Sequence, residues 1–222
     1  RTLQEQSRYN GILTDGHAWW LYEADPATGA FERRSTFTLT RADQGIALVE
    51  WLQAVLATHS HLRPTKHTIE ANIGASSPGY AQDSAYLKAL YHQLSEDPTV
   101  QLKRELWARL LRSALGTGFS DRDDLFVDHT LLVLEAMAIG HAVMDIPLSE
   151  ALSDVPRFMA GAEFANAGIH GVMEAGFFDW VLAAGPEGEK FVGQVIRRVD
   201  VFDWGSVEHD VLKILYEAVI KA

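Results

Sequence analysis

Cysteine is absent from this chain of 222 residues. The protein therefore has no disulfide bond and no thiolate metal site. The chain has no run of 18 apolar residues, so a membrane-spanning helix is not predicted. The first ten residues are polar and lack the pattern of a signal peptide. Together these features predict a cytoplasmic protein with no membrane partner.

Positive charge is scarce in the second half of the chain. Residues 1–119 carry 12 acidic and 12 basic side chains, whereas residues 120–222 carry 18 acidic and 7 basic ones. The whole net charge of −11 therefore arises after residue 119. A protein that grips DNA by itself usually has a basic face, so this half is expected to repel phosphate. A small basic patch remains possible in the first half, at Arg33 and Arg34.

Motifs of catalysis and metal binding are also missing. The chain has no phosphate-binding loop, no GxSxG nucleophile motif and no HExxH zinc motif. Nine histidines are present, but His129 and His141 lie about 18 Å apart along a predicted helix and cannot share one ion. Three others fall in a predicted loop: His59, His61 and His67. Each histidine is interpreted as structural or solvent-exposed.

The carboxylates before the longest predicted helix have a structural explanation. Asp121, Asp123 and Asp124 lie where negative charge stabilises the N-terminal end of the helix dipole. Ser120 or Asp121 is the expected cap of that helix, and Ser206 is the expected cap of the last one. The pattern thus predicts no catalytic, cofactor-binding or metal-binding residue in this chain.

Residues 1–40 have strand and turn patterns. The stretch YNGILTDGHAWWLYE, Tyr9 to Glu23, is rich in aromatic residues and contains a turn or bulge signal at Thr14-Asp15-Gly16. A loop with Pro26 and Gly29 follows. The segment FERRSTFTL then alternates roughly as a half-exposed strand does. This region predicts a β-hairpin.

After Thr40, the expected first N-cap, the apolar period becomes helical. Residues 60–80 are predicted as an extended loop, and the chain from Gln82 onward as helices. Asp97 and Pro98 mark one helix start. The segment from residue 131 to 143 is apolar nearly all round, as in the central helix of a bundle. Its expected core-facing residues are Leu131, Leu134, Ala138 and Ala142.

The predicted fold class is therefore mainly α: a helical bundle with a short N-terminal β-hairpin. The predicted domains are residues 1–40, the hairpin, and residues 41–222, the helical domain. On these grounds alone the chain is a globular domain with no visible active site.

Three stretches in this order resemble the adenine-specific DNA methyltransferases of restriction-modification systems, of the type I and type IIG kinds. YNGILTDGHAWWLYE is similar to the strand pair that closes their nuclease-like domain. DDLFVDHTLLVLEAMAIGHAV, from residue 123 to 143, is similar to a helix of their helical spacer. FDWGSVEHDVLKILYEAVI, from residue 202 to 220, is similar to the helix that directly precedes the methyltransferase domain. The resemblance spans nearly the whole chain, except that Asp128 stands where the family usually has a basic residue.

The resemblance implies that the chain is a piece of a larger protein: the end of a nuclease-like domain followed by a spacer. The parent would bind S-adenosylmethionine, and also Mg²⁺ if it cleaves DNA, and would act on DNA in bacterial defence against phage. The motifs for methylation and cleavage are not in this chain, so a non-catalytic connector is expected, with the flanking nuclease-like and methyltransferase domains as its partners. The alternative is a free-standing acidic helical module that binds a protein partner or mimics DNA.

Overall fold

A computed structural model describes residues 10–24, 29–56, 61–116, 119–170, 175–208 and 210–220. The N-terminal region is an antiparallel sheet of three strands in the order β1 (Asn10–Thr14), β2 (Ala18–Ala24) and β3 (Phe31–Thr38). The predicted hairpin is thus present, with one strand more, because the turn signal at Thr14-Asp15-Gly16 separates two strands: β1 ends at Thr14 and β2 begins at Ala18. The sheet is a small addition to a mainly helical protein, as predicted.

The first turn is held by a side chain. The Asp15 carboxylate accepts hydrogen bonds from the backbone N–H groups of His17, at 2.9 Å, and Ala18, at 2.7 Å. Both hydrogen bonds lower the pKa of Asp15, and the bond from Ala18 has the larger effect. Gly16 has a φ of +85°, which costs glycine little and most other residues more. The turn sets the register in which Gly11 pairs with Tyr22.

Helices make up most of the remaining chain. They are α1 (Gly45–Leu56), α2 (Lys66–Asn72), α3 (Pro78–Gln93), α4 (Pro98–Leu115), α5 (Asp123–Val143), α6 (Leu148–Ser153), α7 (Val155–Met159), α8 (Ala162–Asn166), α9 (Ala175–Phe178), α10 (Pro186–Val199) and α11 (Val211–Ile220). Short 3-10 helices span Ala42–Gln44, Asp179–Ala184 and Trp204–Ser206.

The sheet has its own small core with α1. Leu21 of β2 packs with Trp51 and Val55 of α1, and the Trp51 indole donates a hydrogen bond of 3.2 Å to the Ser35 hydroxyl of β3. Both α1 and β3 also contact α3. The sheet and α1 therefore sit against the helical bundle through α3. The domain division at residue 40 stays a prediction.

The predicted loop over residues 60–80 is wrong in part, because it contains α2. Thr65 caps this helix: its hydroxyl accepts from the Thr68 backbone N–H at 3.2 Å, and the Thr68 hydroxyl accepts in return from the Thr65 N–H at 3.0 Å. Each residue thus satisfies a backbone donor that a helix start leaves unpaired. The turns after α2, up to Ser77, do match the Ser-, Pro- and Gly-rich composition.

Three predicted caps are also wrong. Thr40 is not the first cap; Gln44 instead accepts from the Thr40 and Arg41 N–H groups and closes a 3-10 turn before α1. Asp210, not Ser206, accepts from the N–H of Lys213 at the start of α11. The N-cap position of α5 is Arg122, which makes no side-chain cap hydrogen bond.

Neither Ser120 nor Asp121, the two expected caps, lies at the N-cap position of α5. Asp121 instead pairs with arginines of α4. It accepts hydrogen bonds from Arg104 and Arg112. Burial acts to raise the pKa of Asp121, but these two guanidinium groups lower it overall. Asp123 and Asp124 do lie in the first turn of α5, as the dipole explanation requires. Asp97 and Pro98 cap and begin α4 as predicted, with Asp97 accepting from Thr99 N at 2.8 Å.

Helix α5 is the centre of the bundle, as predicted. Leu131, Leu134 and Ala138 are completely buried, and Ala142 is partly buried against the same core. By length and composition α5 could cross a membrane, but 61% of its most apolar window is buried inside the protein. Since α5 packs against α3, α10 and α11, it is arranged as the core helix of a soluble protein.

Close packing around α5 and α10 depends on two glycines. A Cβ at Gly140 would lie 2.8 Å from the Phe164 ring of α8, and one at Gly188 would lie 1.9 Å from the Val181 carbonyl oxygen. A side chain at Gly188 would therefore collide with the backbone, and one at Gly140 would require the Phe164 ring to move. At Gly140 the absence of a side chain thus lets an aromatic ring approach α5 closely.

Candidate functional site

A cleft with a volume of about 710 Å³ lies between β3 and α3. Residues of α3 form one wall, in two rows whose members follow each other at intervals of four residues. The side chains of one row are small, and the other row is polar and includes Ser84, Lys88 and His92. The basic patch Arg33–Arg34 lies on the opposite wall. Sequence reasoning noted these arginines but had no means to place them across a cleft from α3.

Most of the cations around this cleft are neutralised by nearby acids. Arg34 lies 2.6 Å from Glu32 and 3.6 Å from Glu23, and Lys88 lies 3.2 Å from Asp124. The walls therefore present a balance of charges rather than a field that would concentrate anions.

The floor of the cleft is polar and connects α3 with α5. The Ser84 hydroxyl donates a hydrogen bond of 2.9 Å to the Asp128 carboxylate. Burial raises the pKa of Tyr80 far above its usual range, and the negative charges of Asp128 and Glu135 raise it further. The Tyr80 phenol therefore stays protonated at neutral pH and is not activated as a base or a nucleophile.

A buried polar network lies beneath this floor, between α3 and α10. Arg198 of α10 lies 2.6 Å from the Asp83 carboxylate of α3 and donates a hydrogen bond of 2.7 Å to the Gln82 side chain. Gln194 also donates to Asp83. Asp83 and Gln82 are almost completely buried. One turn along α3, the Tyr86 hydroxyl donates to Glu187 at 2.5 Å.

Helix α5 contributes Glu135 to the same region. Burial raises the pKa of Glu135 well above 4.5; the charge of Asp83 adds to the shift and Arg198 opposes it. The protonated, neutral form of this side chain is therefore favoured in the folded protein. Glu135 is the one acidic residue in the apolar part of this helix, from residue 131 to 143. Asp83 and Arg198 were missed, although each is a charged residue at a buried helix position, which is the signal that points to such a pair.

A second cavity of about 330 Å³ lies beside α6 and α7. Its buried wall includes His141, whose Nδ1 is 2.9 Å from the Met137 carbonyl oxygen. The His141 ring also packs against the rings of Phe158, at 4.9 Å, and Phe164, at 4.6 Å. Those contacts give His141 the structural role expected from the sequence.

The other histidines are placed separately. His129 accepts a hydrogen bond of 3.0 Å from the Trp107 indole, and burial lowers its pKa. His61 and His67 are exposed, and His59 lies outside the described residues. Within the described ranges, no group of three or more histidine or acidic side chains is placed to hold a metal ion. The absence of catalytic, cofactor-binding and metal-binding residues from the chain as a whole stays a prediction.

Comparison with known protein families, with curated proteins and with solved structures finds no match to this chain. The arrangement itself favours a structural role for the buried groups. Burial raises the pKa values of Tyr80 and Glu135, which favours their neutral forms, and the ion pair of Asp83 and Arg198 is largely enclosed. The network joins α3, α5 and α10 across the centre of the bundle.

Proposed function

We propose that this chain is a non-catalytic helical connector of a DNA restriction-modification or phage-defence methyltransferase specific for adenine. It would hold the nuclease-like and methyltransferase modules of the parent protein at a fixed distance. The observation that carries the proposal is the buried network of Asp83, Arg198 and Glu135 within one continuous core.

A connector must keep its shape, because a flexible chain lets the joined modules wander. One cluster of buried apolar residues includes side chains from α2 to α7 and from α9 to α11. An enclosed ion pair favours one packing of the helices in this case, since the charges of Asp83 and Arg198 compensate each other only when α3 and α10 keep their present register. The segment before α2 is also fixed: Leu62 pairs with the link between α10 and α11 through hydrogen bonds of 2.9 and 2.8 Å.

The stretches that carry the family resemblance lie at structurally important places. DDLFVDHTLLVLEAMAIGHAV is α5, the central helix. The DVLKILYEAVI part of the third stretch is α11, which packs on α5 and buries Val211 and Leu215. YNGILTDGHAWWLYE supplies β1 and β2. On this proposal, S-adenosylmethionine and any Mg²⁺ belong to the parent, DNA is reached through the parent, and the protein works in the bacterial cytoplasm.

An activity assay tests the non-catalytic part of the proposal. The chain is incubated with unmodified DNA and labelled S-adenosylmethionine, and separately with supercoiled DNA and Mg²⁺. Neither methyl transfer nor nicking should exceed that of a preparation made in the same way from cells without the gene. Turnover in either assay would show that the chain has an active site of its own.

A second candidate function is an acidic module that binds a basic protein or mimics DNA. Four exposed acids between α10 and α11 favour it: Asp200, Asp203, Glu208 and Asp210. Titration of the chain with a basic DNA-binding protein distinguishes the two functions. A tight complex that salt weakens steeply supports the acidic module, whereas the connector requires none.

A further inference from the structure

Helix α4 carries an apolar stripe on its solvent side. Leu102, Leu106 and Leu110 follow each other at intervals of four residues and are 54%, 39% and 43% exposed. The buried residues of this helix, Val100 and Trp107 among them, lie on its opposite side. An amphipathic helix normally turns such a stripe inward. The three leucines are therefore left without the packing that their pattern calls for.

The charged residues of α4 divide into two groups. Three of them pair with acids elsewhere in the chain: Lys103 with Asp179, and Arg104 and Arg112 with Asp121. The other two, Glu105 and Arg109, pair only with each other among the ion pairs of the described residues, at 2.8 Å, and both are exposed. Being four residues apart, they lie about 40° apart around the helix, on one side of the leucine stripe.

We propose that the leucine stripe binds the same stripe of a second copy of this chain, with the two α4 helices antiparallel. The two-fold axis passes beside Leu106, so that Leu106 meets its counterpart and Leu102 meets the partner subunit's Leu110. The same face is used by both copies, as closed two-fold symmetry requires. The inference does not depend on the proposed function.

In this arrangement the charges beside the stripe on one copy meet opposite charges on the other copy. By helix rise, Glu105 lies about 1.5 Å before Leu106 along the axis, and Arg109 about 4.5 Å after it. The two-fold axis reverses the partner, so Glu105 comes within about 3 Å, measured along the axis, of the partner's Arg109. Both pairs across the interface are attractive. A parallel pairing, whose two-fold axis runs along the helices, would instead carry the partner's Glu105 and the partner's Arg109 to the opposite side of the interface, where they could not meet this copy's pair.

Three leucines from each copy make a small interface, and interfaces below about 1,200 Å² are typical of transient complexes. Sedimentation equilibrium of the whole chain should therefore show a reversible monomer–dimer equilibrium with a Kd of about micromolar or weaker. Leu106→Glu, which places a charge on the two-fold axis, should raise the Kd at least tenfold. Ile46→Glu is the matched control, since Ile46 is an exposed aliphatic residue of α1, and it should leave the Kd unchanged.

Charge reversal tests the antiparallel geometry. Glu105→Arg and Arg109→Glu, taken separately, each set like charges opposite one another in the dimer and should weaken self-association severalfold. An equimolar mixture of the two variants should associate more tightly than either variant alone, because every pair across the interface is then attractive.

Because the chain has no cysteine, Leu106→Cys creates a single thiol, which should form a disulfide-linked dimer on mild oxidation. Ile46→Cys should form much less. Circular dichroism confirms that each variant is folded. A wild-type chain that stays monomeric at millimolar concentration, a Leu106→Glu variant that dimerises normally, or a mixture no tighter than its components would overturn the proposal.

Discussion

Replacing Leu134 by alanine is the most direct test of the architecture, because Leu134 is completely buried in the middle of α5. The substitution removes three carbon atoms. At about 0.8 kcal/mol for each buried methylene, the lost transfer free energy is about 2.4 kcal/mol. Since α5 packs against α3, α10 and α11, the neighbours cannot all move to fill the space, and the remaining cavity adds to the cost. We expect the free energy of unfolding to fall by about 3–5 kcal/mol.

The assay is urea unfolding followed by circular dichroism, with the m-value required to stay constant. Val143→Ala is the control, because Val143 is in the same helix but 51% exposed. It should change the free energy of unfolding by about 0.5 kcal/mol or less. A Leu134→Ala variant as stable as the wild type would refute the central position of α5 and the bundle arranged around it.

Three further predictions concern charge. Arg198→Met should lower the free energy of unfolding by about 3–5 kcal/mol, because it leaves Asp83 buried without its ion-pair partner, and adding Asp83→Leu should recover much of that loss in urea unfolding. The pKa of Glu135 is raised in the folded chain, so the stability that its proton supports is full below the pKa of the unfolded chain, near 4.5, and is lost as pH rises through the pKa of the folded chain. Between pH 5 and pH 8 the free energy of unfolding should therefore fall less for Glu135→Gln than for the wild type. Binding to DNA should be weak at about 150 mM salt, in the range of ~10⁻⁴ to 10⁻⁶ M or weaker; submicromolar affinity in fluorescence anisotropy would contradict the interpretation of the acidic second half.

The features of the fold that local pattern determines were predictable. Helix α5 was recognised because acidic residues precede a long apolar segment. Helix α4 was recognised because Asp97 and Pro98 together mark the start of a helix. In each case the residues that decide the structure are neighbours in sequence.

The errors arose where a side chain has two possible partners. Asp121 has the right type and position to cap α5, but Arg104 and Arg112 of the preceding helix attract it instead. Helix α2 was missed because the composition around it is that of a loop, although the hydroxyls of Thr65 and Thr68 start a helix there. The ion pair between Asp83 and Arg198 joins residues far apart in sequence, so only the packing of α3 on α10 brings it together.

The reading frame that continues past the codon for Ala222 tests the connector proposal most directly. Sequencing of the transcript should show a methyltransferase domain shortly downstream, with its S-adenosylmethionine-binding loop and an NPPY-like tetrapeptide. A stop codon directly after Ala222 would contradict the connector and favour the free-standing acidic module.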